Sequence, residues 1–181
     1  MTTHQMPSPT PQPLAIGESF IGSGVDAAHI NTVLGARSGP AGTAWATALA
    51  TPSTGHVPFM AVIAPGVAVN PPTLFVTKAA IESPEHGRLT WGAAQAGVAG
   101  GVADALADGI IDAAAAADLV LIVAVWVNPQ AHDEQTVYAN NRLAIRTALA
   151  AGAAGEPAVE ELLKHRDNPV NPFFSGVAAA Q

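Results

Sequence analysis

The sequence contains no cysteine, which excludes disulfides and zinc–thiolate sites and leaves the redox compartment unwritten in its residues. Basic residues are scarce. Seven Lys+Arg stand against fourteen Asp+Glu, a formal charge of −7. Nucleic acids and anionic membrane surfaces both require basic patches, so neither is expected as a partner. Long apolar runs are missing as well: the longest, residues 119–127, is too short to span a bilayer and reads as a buried strand. The opening MTTHQMPSPTPQP has neither a basic n-region nor an apolar h-region, so no secretory signal is expected and the cytoplasm is the default location. Generic catalytic motifs are lacking too. There is no Gly-rich phosphate loop, no HExxH, no GxSxG and no clustered acidic metal site.

What is present is a chain of 181 residues, 49% of them hydrophobic, enough to build the core of a single domain. Residues 1–13, rich in Pro, Thr and Ser, are expected to form a flexible arm; the domain should occupy 14–175 and a short tail 176–181. Strands are expected over 14–21, 28–34, 59–64, 73–81 and 119–127. Helices are expected from Pro40 to about residue 50, with Ser38 as a possible cap, over 92–107, from 129 to about 150 behind an Asn128 cap, and over 157–164. The 92–107 helix carries an Ala/Gly-rich face able to lie close to a sheet or to another subunit. Strands and helices mixed in this way give an α+β or two-layer α/β domain, with the topology left open by periodicity.

The six histidines are dispersed, and none are paired at i,i+4 on a helix, so no metal site is expected. His86 and His165 sit in charged segments where a solvated ring is the ordinary reading. His29 differs. Alternation on its strand places His29, Asn31 and Val33 on one face and Ile30, Thr32 and Leu34 on the other. A ring that titrates near neutrality beside an amide suits a general acid–base, and equally a hydrogen-bonded structural histidine. Lys78, one of only two lysines, reads as mid-strand, where its amine must reach a partner, a ligand or water. Gln95 is the only polar side chain between Trp91 and Asp104; it can bind a ligand amide or simply the nearby backbone.

These residues fall in segments that resemble the formaldehyde-activating enzymes. GESFIGSGVDAAHI, starting at Gly17, looks like that family's GEA-x-VG-x-GNEVAHID stretch. GPAGTAWATAL and GHVPFMAVIAPGVAVNPPTLFVTK follow, the latter ending at Lys78. WGAAQAGVAGGVADALADGII is similar to the FGPAQ helix, and DLVLIVAVWVNPQAHD, RLAIRTAL and the terminal NPFF complete the match. Each motif alone is weak. Their order and spacing together are specific.

The resemblance implies a ribosomal-protein-S5-like two-layer α/β fold, assembled as a homopentamer with substrate sites between subunits. It implies a carbon–nitrogen lyase that condenses formaldehyde with the reduced pterin tetrahydromethanopterin, giving the methylene derivative and water, with neither metal nor prosthetic group. Carried over by position, the proton donor falls on His29, and substrate contacts fall on Asn31, Met60, Lys78, Ala80 and Gln95. Three of these depart from the family residues: Asn31 replaces an acid, Ala80 a threonine and Met60 a leucine. Segment 133–142 is shorter by about a helical turn, and a family histidine is replaced by Asn128. The departures leave room for two other readings: the same scaffold acting on another amine or thiol carrier, or a non-catalytic protein binding formaldehyde or a small metabolite.

Overall fold

The computed structural model describes residues 14–176; the expected arm over 1–13 and residues 177–181 of the expected tail lie outside them. The chain forms β1 (Ala15–Ile21), β2 (Ala28–Ala36), α1 (Pro40–Ala50), β3 (Pro58–Met60), β4 (Val62–Ala64), β5 (Val67–Ala68) and β6 (Thr73–Thr77). It continues with α2 (Pro84–Arg88), α3 (Gln95–Ala107), β7 (Leu119–Trp126), α4 (Glu134–Ala154) and α5 (Val159–Lys164). Five strands make one mixed sheet in the order β1-β2-β7-β6-β3, parallel only between β6 and β7; β4 and β5 form a separate hairpin. The mixed α/β content expected from sequence is thus present in a single domain.

The pleat of the sheet decides what is core. Ile30 on β2, Leu121, Val123 and Val125 on β7 and Phe75 on β6 face the layer of α3 and α4, where they meet Val98, Val102, Ile145 and Leu149. Each large side chain so buried contributes about 1.5–3 kcal/mol. Helices and sheet approach closely through small residues. A side-chain carbon on Gly17 of β1 would stand 1.8 Å from the Ala148 carbonyl oxygen of α4, and one on Gly101 of α3 would stand 2.4 Å from that of Arg142. The Ala/Gly face of α3 is therefore used inside the chain, against α4. On the opposite side of the sheet, α1 covers the end near Gly35, where an added carbon would meet Ala41 at 3.0 Å.

Several expectations are corrected. The strand expected over 59–64 is split at Ala61, fully buried, whose N–H donates to Thr73 O (2.9 Å) while its carbonyl accepts from Val69 (3.0 Å), turning β4 out of the main sheet. The strand expected over 73–81 ends at Thr77. Helix formation begins at residue 84 instead of 92, because the Ser83 hydroxyl accepts from the His86 N–H (3.0 Å). From there a π-helical segment, Leu89–Ala94, connects α2 to α3. Helix α1 is capped by Gly39, with no side-chain cap from Ser38. Helix α4 starts five residues later than expected, capped by Asp133, whose Oδ1 accepts from Thr136 N–H (3.0 Å); Asn128 instead closes a local turn by accepting from Gln130 N–H (2.9 Å). His86 is buried, not solvated. Its Nε2 meets Val127 O at 3.0 Å and its Nδ1 accepts from Glu82 N–H at 3.3 Å, so the ring fastens α2 to the end of β7. No helix among the described residues is long and apolar enough to cross a membrane.

The Gly17 contact gives a direct test. Gly17→Ala is expected to lower unfolding free energy by about 3 kcal/mol, since backbone must shift on both β1 and α4. Gly92→Ala meets open space within a helix and should be neutral or stabilising by about 0.5 kcal/mol. Denaturant midpoints of the two variants measure the difference.

Candidate active site

The face of the sheet turned away from α3 and α4 carries the polar residues. On β2, His29 and Asn31 alternate with the buried Ile30 and Thr32, as the sequence pattern requires. Antiparallel pairing sets Phe20 of β1 opposite His29 and Glu18 opposite Asn31; on the other flank, Trp126 and Ala124 of β7 take the same two positions. The helix-side anchors are equally definite. Ser19 Oγ donates to Ala144 O (2.8 Å), which fixes the phase of β1 and so turns Glu18 and Phe20 outward. Upstream of β2, Asp26 Oδ1 accepts from the backbone N–H groups of His132 (2.8 Å) and Asp133 (3.1 Å), and Asn140 donates to Asp26 O (2.9 Å). The shortened segment before Arg142 thereby secures the turn that leads into His29.

Lys78 lies one residue past β6, not mid-strand, yet its N–H still donates to Val125 O (2.8 Å). From that position its side chain spans the intervening β7 to reach β2, a distance of about 10 Å for two strand spacings. The small Ala124, in register with both Val76 and Asn31, leaves the stem room to cross. The ammonium donates to Asn31 Oδ1 (2.6 Å) and meets His29 Nδ1 at 3.1 Å. The other ring nitrogen, Nε2, lies 3.0 Å from Glu18 Oε1. The result is a line of four groups: Asn31, Lys78, His29 and Glu18. An ammonium can only donate, so His29 accepts at Nδ1 and carries its proton at Nε2, toward the carboxylate.

Burial and charge oppose each other here. His29 is held below its ordinary pKa, first by burial and next by the Lys78 charge, with Glu18 pulling the other way. Lys78 is also lowered by burial, again against Glu18. Both shifts disfavour the charged forms, so each group gives up its proton more readily than it would in water. The rim is aromatic. Phe20 lies with its ring centre 6.0 Å from that of His29, and Trp126 meets Phe173 of the C-terminal segment edge-on at 5.7 Å.

The remaining sequence candidates lie elsewhere. Ala80 is two residues beyond Lys78, beside Gly55. Met60, on the edge strand β3, is in register with Leu74, four residues or about 13 Å along β6 from Lys78. Gln95 is buried on α3, and its amide is already engaged at both ends by Val62, donating to its O (3.0 Å) and accepting from its N–H (3.2 Å). One chain therefore brings together His29, Asn31 and Lys78 and leaves Met60 and Gln95 apart. Sequence reading missed Glu18. It stands in the quoted GESF segment, but only the β1–β2 register reveals that it reaches His29.

Fold and site together define a class: a single α/β domain that presents a histidine–lysine–carboxylate line on a part-open sheet face. The comparisons narrow it. The family model for formaldehyde-activating enzyme matches residues 16–174. A Methanosarcina barkeri protein named 5,6,7,8-tetrahydromethanopterin hydro-lyase is 40% identical over 158 residues, covering 87% of this chain and 89% of that one. Proteins named bifunctional enzyme Fae/Hps from Archaeoglobus fulgidus and Methanothrix thermoacetophila are each 36% identical, and the chain spans 40% and 41% of their respective lengths. The chain belongs to the formaldehyde-activating enzyme family.

Electrostatics of the cluster can be checked by removing one charge. Lys78→Met deletes a cation that lowers the pKa of His29, so the ring should protonate at higher pH. An NMR titration, with the His29 signal assigned through its loss in His29→Gln, is expected to show the midpoint moving up.

Proposed function

We propose that the protein condenses formaldehyde with a reduced pterin of the tetrahydromethanopterin type, yielding the methylene derivative and water. One observation carries this reading within the family: His29 is held between Lys78 and Glu18 on a part-open face, with 33% of its side chain exposed. The reaction changes no oxidation state overall, since one carbonyl and two N–H bonds become two C–N bonds and water. It therefore asks the protein for orientation and proton transfer.

His29 serves the two proton steps. In its protonated form it gives the Nε2 proton to the carbonyl oxygen as the first pterin nitrogen attacks, and the ring takes up the proton that this nitrogen then sheds, giving a carbinolamine. It then protonates the departing hydroxyl, water leaves, and the second nitrogen closes on the iminium carbon and releases a proton that restores the ring. Exposed Glu18 can yield its place at Nε2 to the substrate oxygen, while Lys78, beside Nδ1 at the far edge of the ring, biases the ring toward giving up its proton. Asn31 would meet the pterin on this face and Ala80 further along past Lys78, and Met60 and Gln95 would be its contacts from a second subunit. No prosthetic group or metal is required by these steps, and the cytoplasm is the expected setting.

The separation of Met60 and Gln95 from His29 within one chain supports a site completed by a second copy, and the family pentamer is the assembly we propose. A patch suited to such contact is present: Val62, Ile63 and Val67 of the β4–β5 hairpin are exposed, as is Trp91, one turn before the Gln95 that binds the hairpin. Sedimentation at micromolar concentration should give a homo-oligomer, with a pentamer expected; a stable monomer would rule out the shared site.

A second reading, the same scaffold with a different amine carrier, is favoured by Asn31. Its side-chain oxygen already accepts from Lys78, and as a neutral amide it offers pterin N–H groups a weaker acceptor than a carboxylate does. The deciding assay follows methylene product from formaldehyde with tetrahydromethanopterin, then with tetrahydrofolate, against the spontaneous rates. Catalysis is expected with tetrahydromethanopterin and should fall by about 100-fold or more in His29→Ala. Catalysis with tetrahydrofolate alone would favour the second reading, and a folded His29→Ala that keeps the full rate would exclude His29 as the donor.

A further inference from the structure

Nothing in the roles so far gives Glu18 a task in the resting site. We infer that Glu18 is a positioning residue for His29: its carboxylate holds the ring proton on Nε2 and keeps Nδ1 turned to Lys78. The assignment deepens the proposed reaction and also states which ring nitrogen delivers the proton.

The geometry leaves few alternatives. Glu18 Oε1 lies 3.0 Å from Nε2, and Lys78 Nζ lies 3.1 Å from Nδ1. An ammonium at Nδ1 forbids a proton there, and a carboxylate at Nε2 accepts one. The two contacts enforce a single tautomer. They also distinguish the two edges of the ring. The Nδ1 edge faces the half-buried Lys78, whereas the Nε2 edge faces a glutamate whose side chain is 60% exposed and can move aside. Nε2 is therefore the edge open to a substrate oxygen.

Placement on the sheet explains why this residue and no neighbour does it. Glu18 is paired with Asn31, so it reaches His29 along the diagonal, a separation that a long side chain closes. Phe20, directly opposite His29, sets an apolar ring beside the imidazole, with the ring centres 6.0 Å apart. Among the described residues, the charged groups acting on His29 are Glu18 from β1 and Lys78 from the end of β6. The adjacent β7 contributes Ala124 and Trp126, which carry no charge. Both the charge of Glu18 and its hydrogen bond raise the pKa of His29, so removing them must move its protonation to lower pH.

The test reads the ring itself. Nitrogen-15 NMR of the full chain should show neutral His29 in the Nε2–H form. In Glu18→Ala the ring is released to turn away from Lys78, so the tautomers should mix and the protonation midpoint should fall. In Glu18→Gln, whose side-chain oxygen still accepts, the Nε2–H form should persist while the midpoint again falls. The catalysed condensation should slow by about tenfold in Glu18→Ala, less in Glu18→Gln, with its pH profile shifted toward acid and KM for the pterin little changed. Unaltered tautomer and midpoint in Glu18→Ala would overturn the assignment, as would a change confined to KM. The NMR measurement involves no pterin. A wild type that fails to condense formaldehyde with tetrahydromethanopterin would defeat the proposed function and leave the positioning role standing.

Discussion

The two-residue pleat of β2 is the constraint on which the site depends. Ile30 and Thr32 are buried against the helix layer, and that burial alone turns His29 and Asn31 to the opposite face. A slip of one residue would exchange the sets, driving an imidazole and an amide into an apolar core at a cost of several kcal/mol for unpaired polar groups. The register is secured from both flanks. Gly17 lies against the α4 backbone, Ser19 binds Ala144, and Asp26 ties the turn before β2 to the start of α4. Parts of the chain remote from His29 therefore determine where its ring points.

Placing an ammonium beside an imidazole carries a cost for the protonated ring, and the lysine charge is the second cause that lowers the pKa of His29. The structure reduces that cost by keeping both half-exposed, by letting Asn31 accept from the ammonium and by adding Glu18 at the far edge of the ring. Burial still dominates: it is the first cause of the shift in both His29 and Lys78. A lysine fully solvated would be a fixed cation, and a histidine alone would have no fixed tautomer. Their proximity, under partial burial, lowers the proton affinity of both and fixes the orientation of the ring.

How far the site could be read from residues alone follows from the range of the forces involved. The His29/Asn31 alternation was legible because it is local, one strand with one period. The mixed α/β character and the hydrophobic strand at 119–127 were legible for the same reason. The end of β6 was not, since Thr77 and Lys78 differ only in where β7 stops pairing with them. Burial of His86 escaped notice because its charged neighbours, Glu85 and Arg88, point to each other on the surface while the ring turns inward to Val127. Glu18 was invisible for a further reason. Its partnership depends on the β1–β2 register, which is set by contacts with α4, more than a hundred residues away in sequence.

Asn31 affects the cluster as much as any retained residue. Its oxygen lies 2.6 Å from the Lys78 nitrogen, so an aspartate in its place would set an anion against the ammonium. That anion would hold both Lys78 and, through it, His29 more firmly in their protonated forms. With asparagine the carboxylate of Glu18 is, among the described residues, the only anion acting on the pair, and it is exposed and partly screened by water. The balance moves toward neutral imidazole. A neutral ring is ready to take the proton shed by an attacking amine; once protonated, its lowered pKa makes it a stronger acid toward the hydroxyl that must leave. In the reaction proposed for this site, the substitution thus weakens one acceptor for the carrier while strengthening the acid at His29, and the two effects fall on different steps.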